Sequence, residues 1–166
     1  MKKFFISIFV LLLFFLHVCC SSPSFGVIDG HEYVNLGLSV KWATCNIGAN
    51  VPEEYGDFYS WGEVSIKSSN AHADYKWYKD GNFMQKMKYS FDSDLGTVDN
   101  KISLDEEDDA AIMNWGKSWR MPTYEEQEEL MNGCTWEWTT DYNGSGVAGR
   151  IGTSKKNGNK IFLPAG

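Results

Sequence analysis

Apolar and polar residues alternate in the first half of the chain, and this alternation predicts β-strands. In residues 32–46, Val40, Trp42 and Thr44 fall on one face and polar or small residues fall on the other. A bend at residues 36–38 divides the stretch into two half-buried strands. Residues 57–61 form a further strand candidate.

The same pattern returns near the C-terminus. Four residues at alternate positions predict a strand: Cys134, Trp136, Trp138 and Thr140. Residues 141–146 are polar and rich in glycine, which indicates a turn. Two more strands are expected on either side of Asn157-Gly158, a dipeptide typical of hairpins.

Helical spacing appears in residues 105–115. Ala111, Ile112 and Trp115 share a face with Leu104. Ser103 is a candidate N-cap and Gly116 a candidate end. The five carboxylates of residues 105–109 crowd the first turns, where they favour the positive end of the helix dipole.

A second helix is expected to begin at Thr123. The Thr123 hydroxyl can accept a hydrogen bond from the Glu126 N–H, and the Glu126 carboxylate can accept one from the Thr123 N–H, which makes a capping box. Pro122 keeps the preceding residue extended. Gly133 is predicted to end this helix in a left-handed conformation.

Between these elements, residues 65–103 show no periodicity. The stretch is polar and is interrupted by aromatic residues, among them Tyr75, Trp77, Tyr78, Phe83 and Tyr89. A long irregular segment inside a compact domain is usually functional or mobile. Strands together with two short helices predict an α+β fold.

The N-terminus has the order of an export signal. Lys2 and Lys3 precede an apolar run over residues 4–16, which is too short to span a membrane. We therefore expect residues 1–20 to be a signal peptide and residues 21–166 to be one domain. The segment before Cys19 resembles a bacterial lipobox, so Cys19 is the candidate lipid anchor of an outer-membrane lipoprotein. Plain secretion is the alternative.

Charge narrows the range of partners. The chain has 15 basic and 22 acidic residues, and removal of Lys2 and Lys3 leaves 13 against 22, a net charge of −9. Such a surface repels phosphate, so nucleic acid and anionic lipid headgroups are not expected to bind. Outer-membrane association would then depend on the lipid anchor alone.

Ordered sequence blocks carry a family resemblance. The Trp119–Glu126 block reads W-R-M-P-T-x-x-E, and further blocks occupy residues 33–48, 52–63, 108–111, 114–116, 134–136, 153–159 and 161–166. Together they resemble the Fibrobacter succinogenes major paralogous domain, a family of secreted and surface proteins. The Trp119–Glu126 block alone is also similar to an element of formylglycine-generating enzymes, whose fold is related to C-type lectins.

The resemblance implies a C-type-lectin-like fold. It would contain two short helices, a small and mostly antiparallel twisted sheet, and long irregular loops. Family members continue beyond the position of Gly166 into a further strand-forming tail, so the chain is expected to be truncated and to lack the C-terminal strands. An open sheet edge and a partly uncovered core would follow.

Catalytic chemistry is poorly represented. After removal of the signal, only His31 and His72 remain as histidines, and neither lies in a metal-ligand motif. Residues 92–96 begin like a calcium loop but lack the closing bidentate glutamate. No cofactor or metal is therefore expected, although weak structural calcium stays open. Cys45 and Cys134 are interpreted as unpaired buried thiols, with a single disulfide as the alternative.

Two non-enzymatic functions are favoured over an enzyme. An enzyme ranks third because the sequence shows no recognisable active site. The first is a non-catalytic binding module at the cell surface, in which Trp77 and Tyr78 stack on a glycan or dock a protein. Equally, these two rings could simply cover the core. The second is a structural or assembly component of the bacterial cell envelope.

Overall fold

The computed structural model describes residues 23–68 and 74–166. The predicted signal peptide, the candidate anchor Cys19 and His72 lie outside these residues. Within them, the chain forms two small antiparallel sheets, two short α-helices and several 3-10 turns. The predicted α+β class is confirmed. None of the helices in these residues is both long and apolar enough to cross a membrane.

The N-terminal sheet contains strands β1 (Phe25–Ile28), β2 (His31–Val34) and β3 (Trp42–Ala43) in that order. β1 pairs with β2 from Phe25 opposite Val34 to Ile28 opposite His31. β2 then pairs with β3 through Tyr33 opposite Ala43 and Val34 opposite Trp42. The predicted strands of residues 32–46 are thus present on both sides of the expected bend.

The C-terminal sheet contains β4 (Cys134–Thr139), β5 (Gly149–Ser154) and β6 (Lys160–Pro164), also in chain order. The strand predicted from alternating residues 134–140 is β4, and the predicted turn contains a 3-10 turn at Tyr142–Gly144. β5 and β6 flank Asn157-Gly158 as expected. The described residues thus form two separate sheets, where one small sheet was expected, because no strand pairs β3 with β6.

The prediction of a strand at residues 57–61 was wrong. This segment pairs with no strand in the described part of the chain. Gly56 and Gly62, on either side of it, have left-handed φ angles of 71° and 75°. A left-handed residue at each end turns the backbone away from the extended path that a ladder needs.

Helix α1 (Ala110–Trp115) is shorter than predicted. Its N-cap is Asp109 rather than Ser103, because the Asp109 carboxylate accepts hydrogen bonds from the N–H groups of Ala111 and Ile112. Residues Glu106–Asp108 form a 3-10 turn before it. Gly116 follows the helix with φ of 95°, which agrees with the predicted end.

Helix α2 (Tyr124–Gly133) begins with the predicted capping box. The Thr123 N–H donates to Glu126 Oε2 at 2.8 Å, and the Glu126 N–H donates to Thr123 Oγ1 at 3.3 Å. The predicted left-handed stop at Gly133 was wrong, because the helix runs through this residue and into the extended Cys134. Leu38 packs closely against this glycine, since an added Cβ would lie 2.6 Å from Leu38 Cδ2.

The core consists of two apolar clusters. The first joins both sheets and α2 through Val34, Leu36, Leu130, Cys134 and Ile161. The second packs β2 against α1 and the segment after it through Tyr33, Ala111, Trp115 and Trp119. Burial of these side chains supplies the main favourable free energy of folding.

Candidate functional site

An apolar cleft of about 490 Å³ is the leading candidate site. The chain on either side of β3 forms one wall, β6 forms another, and α1 with the segment after it forms the third. The lining is mostly apolar or aromatic, and its largest side chains are Tyr33, Trp42, Trp115, Trp119, Met121, Phe162 and Leu163. A cleft of this size and composition is typical of ligand sites.

Two strand edges line this cleft. In an antiparallel ladder, pairs of residues that bond to each other alternate with pairs that do not. The Ala165 N–H bonds to the Ala148 carbonyl, so Ile151 and Phe162 form a pair that does not bond. The N–H and carbonyl of Phe162 therefore point away from β5. By the same alternation, the Thr44 N–H bond to Glu32 directs the backbone of Ala43 away from β2. Among the described residues neither edge pairs with a further strand, and Ala43 and Phe162 both line the cleft.

The Trp42 indole carries an unused donor. Its Nε1 is buried and makes no hydrogen bond within residues 23–68 and 74–166. Burying an N–H without a partner costs about 1–3 kcal/mol. Because Trp42 lines the cleft, an acceptor on a bound molecule would remove this cost.

Charged groups stand at the edge of the cleft. The Arg120 guanidinium contacts both carboxylate oxygens of Glu126, at 2.8 and 2.5 Å. This bidentate pair, helped by the Thr123 N–H, lowers the pKa of Glu126 to about 2. The Lys41 ammonium lies 4.2 Å from the centre of the Tyr33 ring. The cleft is thus apolar inside and charged at its border.

The structure places Trp77 and Tyr78 in a different region, on the long irregular segment. Trp77 is half-buried, and its indole N–H donates to the Gly62 carbonyl at 2.8 Å. The ammonium groups of Lys76 and Lys88 lie over its ring. Tyr78 is half-buried and packs edge-on against Tyr75. Neither predicted residue lines the cleft.

Below this segment lies a buried carboxylate, Asp108. It accepts hydrogen bonds from the ammonium groups of Lys76 and Lys88 and from the Tyr89 hydroxyl. Burial raises the pKa of Asp108, but these three donors outweigh burial and hold the pKa below its usual value. Asp108 is therefore ionised at neutral pH and ties the irregular segment to the start of the helical region.

The carboxylates of Asp105, Glu107 and Asp108 come within 4.8 Å of one another. This spacing would suit a metal ion, but Lys88 already forms ion pairs with all three residues. A protonated amine thus supplies the positive charge at this place. In residues 92–96, which begin like a calcium loop, the Asp92 carboxylate accepts a hydrogen bond from the Asp94 N–H at 2.9 Å and so stabilises a turn.

The side chains of His31, Cys45 and Cys134 make packing contacts. His31 stacks on Trp115 with ring centres 4.1 Å apart. Within residues 23–68 and 74–166, Cys45 and Cys134 form no disulfide, as interpreted from the sequence; Cys134 is buried as expected, whereas Cys45 is only half-buried. Burial is the main cause that raises the pKa of both thiols. A raised pKa reduces the thiolate fraction, and the thiolate is the nucleophile.

Sequence reasoning did not identify the cleft. Its walls come from residues far apart in the chain, and each wall alone has the pattern of an ordinary half-buried element. The only available signal was the alternation around Trp42, which predicts a strand but not what faces it.

Comparisons with protein-family models, with curated proteins and with solved structures found no match.

Proposed function

We propose that the protein is an exported, non-catalytic binding module that holds an extended polypeptide segment in the cleft between its two sheets. One observation carries the proposal: two free strand edges and an unused indole donor line the same apolar cleft. A strand that enters the cleft can bond to the backbones of Ala43 and Phe162 and place apolar side chains against the aromatic walls. The carbonyl groups of such a strand can also accept the Trp42 N–H.

The apolar lining favours a polypeptide over a glycan. Sugar hydroxyl groups need many polar partners, whereas an extended peptide satisfies its backbone on the strand edges and buries alternate side chains. Trp77 does not line the cleft, and its indole N–H and its ring face already take part in contacts within the chain.

A peptide with alternating valine and threonine tests this proposal. Bound to the full-length chain, it is expected to slow amide hydrogen exchange in residues 41–47 and 160–164. Ala43→Phe should abolish this protection by filling the cleft. Thr135→Phe adds the same ring to an exposed position of β4 and should bind the peptide like the wild type. Protection that persists in Ala43→Phe, or that is absent in the wild type, contradicts the proposal.

We also propose the C-type-lectin-like arrangement and membership of the Fibrobacter major paralogous domain family. The ordered sequence blocks support this assignment, and so does the capping box within the Trp119–Glu126 block. An experimental structure of the exported protein tests it. Superposition on C-type lectins is expected to match α1, α2 and the β4–β6 meander in the same chain order.

Assembly in the cell envelope is the second candidate, and strand β1 favours it. β1 is an edge strand, and the side chains of Phe25 and Val27 on one of its faces are exposed. Exposed apolar edges promote pairing between chains. Self-association in sedimentation experiments, lost in Val27→Lys and kept in Ala43→Phe, would support assembly in place of peptide binding.

A further inference from the structure

A second pocket, of about 450 Å³, lies beside the cleft and has a different chemistry. The two cavities share Asn46, Ile47 and Met121 as a wall. The charged side chains that line the second pocket are all carboxylates, those of Asp57, Glu63 and Asp108. Lysine ammonium groups already compensate Asp108. The Lys67 ammonium lies 3.0 Å from one oxygen of Glu63. The other oxygen of Glu63 and the Asp57 carboxylate decide what this pocket can hold.

Glu63 is only 5% exposed, and one of its oxygens is satisfied. Oε1 accepts the Lys76 N–H at 2.9 Å and lies 3.0 Å from the Lys67 ammonium. Oε2 is buried and accepts no hydrogen bond of ordinary geometry from the described residues. A buried carboxylate oxygen without a donor is costly, so this atom is an acceptor that awaits a partner.

Glu63 is also charged under physiological conditions. Burial raises its pKa, but the Lys67 ammonium and the Lys76 backbone N–H, with a smaller effect of the Ser60 side chain, together lower the pKa below the usual value. Oε2 therefore carries negative charge at neutral pH. Asp57 adds a second carboxylate, because within residues 23–68 and 74–166 its side chain forms no ion pair and accepts one hydrogen bond, from the Tyr59 hydroxyl at 3.5 Å.

Aromatic rings complete the lining. Tyr55 and Trp61 are exposed members of the pocket wall, and Tyr59 lies between them in the chain. Electron-rich ring faces attract cations in addition to the attraction of the carboxylates. The combination of two carboxylates with three aromatic side chains selects a positively charged organic group.

The backbone keeps this wall in place. Gly56 is left-handed, with φ of 71°, and approaches the carbonyl of Ile47 so closely that a side chain would collide with it. The Asp57 N–H donates to the same carbonyl at 2.7 Å. The residues that line the pocket are therefore positioned before any ligand binds, which lowers the entropic cost of binding.

We infer that this pocket binds a primary ammonium or guanidinium group, with Glu63 Oε2 as the acceptor, Asp57 as the second charge and the aromatic rings around the alkyl chain. A quaternary ammonium fits less well because it has no N–H to donate to Oε2. Among the described residues, the one group of three acidic side chains spaced for a metal ion is Asp105, Glu107 and Asp108. Of these only Asp108 lines the pocket, and neither Glu63 nor Asp57 belongs to the group. This site is separate from the peptide cleft and goes beyond the proposed function.

Calorimetric titration of the full-length chain with 1,5-diaminopentane and with agmatine tests the inference. Saturable binding is expected for one or both, with no binding of 1-pentanol and at least tenfold weaker binding of tetramethylammonium. Glu63→Gln keeps an acceptor for the Lys76 N–H but removes the charge, and it should weaken binding at least tenfold. Asp57→Asn changes an exposed residue and should weaken binding severalfold.

Glu107→Gln is the matched control, because it removes one exposed carboxylate outside the pocket. It should bind the amines like the wild type. Ala43→Phe, which blocks the peptide cleft, should still bind the amines. Loss of peptide binding and loss of amine binding are therefore measured independently. If Glu63→Gln does not fold, Asp57→Asn decides alone. No saturable binding by the wild type, equal loss in Glu107→Gln, or displacement of the amines by equimolar calcium would overturn the inference.

Discussion

The Tyr89 hydroxyl donates a hydrogen bond to the Asp108 carboxylate at 2.8 Å, and both side chains are only 1% exposed. Tyr89 also has a left-handed backbone, with φ of 59°, which is unfavourable for a bulky residue. Asp99 holds this conformation by accepting the N–H groups of Tyr89 and Ser90. The irregular segment is therefore fixed from below by Asp108 and from one side by Asp99.

Asp108→Asn is expected to lower the free energy of unfolding by about 3 kcal/mol. The variant leaves two lysine ammonium groups beside a neutral amide, and breaking a buried ion pair from one side costs about 3–5 kcal/mol. Urea unfolding measures the change. Glu107→Gln, at a side chain that is 74% exposed, should have almost no effect. Equal midpoints for Asp108→Asn and the wild type would contradict the role of Asp108.

Thr123→Ala should lower the free energy of unfolding by about 1 kcal/mol, the usual cost of an N-cap. The lost hydroxyl is the acceptor for the Glu126 N–H. Glu128→Ala is the control on the same helix, because Glu128 is exposed and its one hydrogen bond among the described residues comes from the exposed Tyr124 hydroxyl. Thermal midpoints that are the same for Thr123→Ala and the wild type would reject the cap.

Stability should decrease in acid through Glu126. Its pKa is lowered from 4.5 to about 2 by Arg120 and the cap, so its contribution is complete above about pH 4.5 and disappears as the pH falls towards 2. Because Arg120 is half exposed, we expect about 1–2 kcal/mol. Urea unfolding at pH 7 and pH 3 measures the loss. Glu126→Gln should lose less stability between pH 7 and pH 3 than the wild type. If both proteins lose the same amount, Glu126 is not the cause of the loss.

Alkylation of Cys45 and Cys134 should be slower than that of a free cysteine at pH 7. Burial raises the pKa of both thiols, and Glu32 and Glu54 raise that of Cys45 further. Iodoacetamide labelling followed by peptide mass spectrometry measures each site. Cys45 should react before Cys134, because it is the more exposed thiol. A disulfide-linked peptide pair, or Cys134 reacting first, would contradict the structure.

The mature protein is expected to begin between Cys19 and Ser24, because Lys2, Lys3 and the apolar run of residues 4–16 form an export signal. Mass spectrometry of the native protein checks this start. A diacylglyceryl mass on Cys19 would identify the lipoprotein form. An intact Met1 on a protein that stays in the cell would contradict export.

The sequence by itself determined the local elements whose causes are local. The capping box of Thr123 and Glu126 depends on residues three apart, and the β4–β6 meander follows from alternation and the Asn157-Gly158 hairpin. The stop at Gly116 and the α+β class were predictable for the same reason. Their physics is contained within one turn or one pair of neighbouring strands.

Tertiary structure decided everything that depends on distant partners. Gly133 is a packing residue only because Leu38 lies against it, and Asp108 is buried only because Lys76, Lys88 and Tyr89 surround it. The cleft and the acidic pocket likewise combine distant segments, and the pocket joins residues 46–63 to residues 104–121. Local sequence patterns indicate whether a side chain faces the interior. Which residue it then contacts is decided by how the elements pack, and the chemistry of a site depends on that contact.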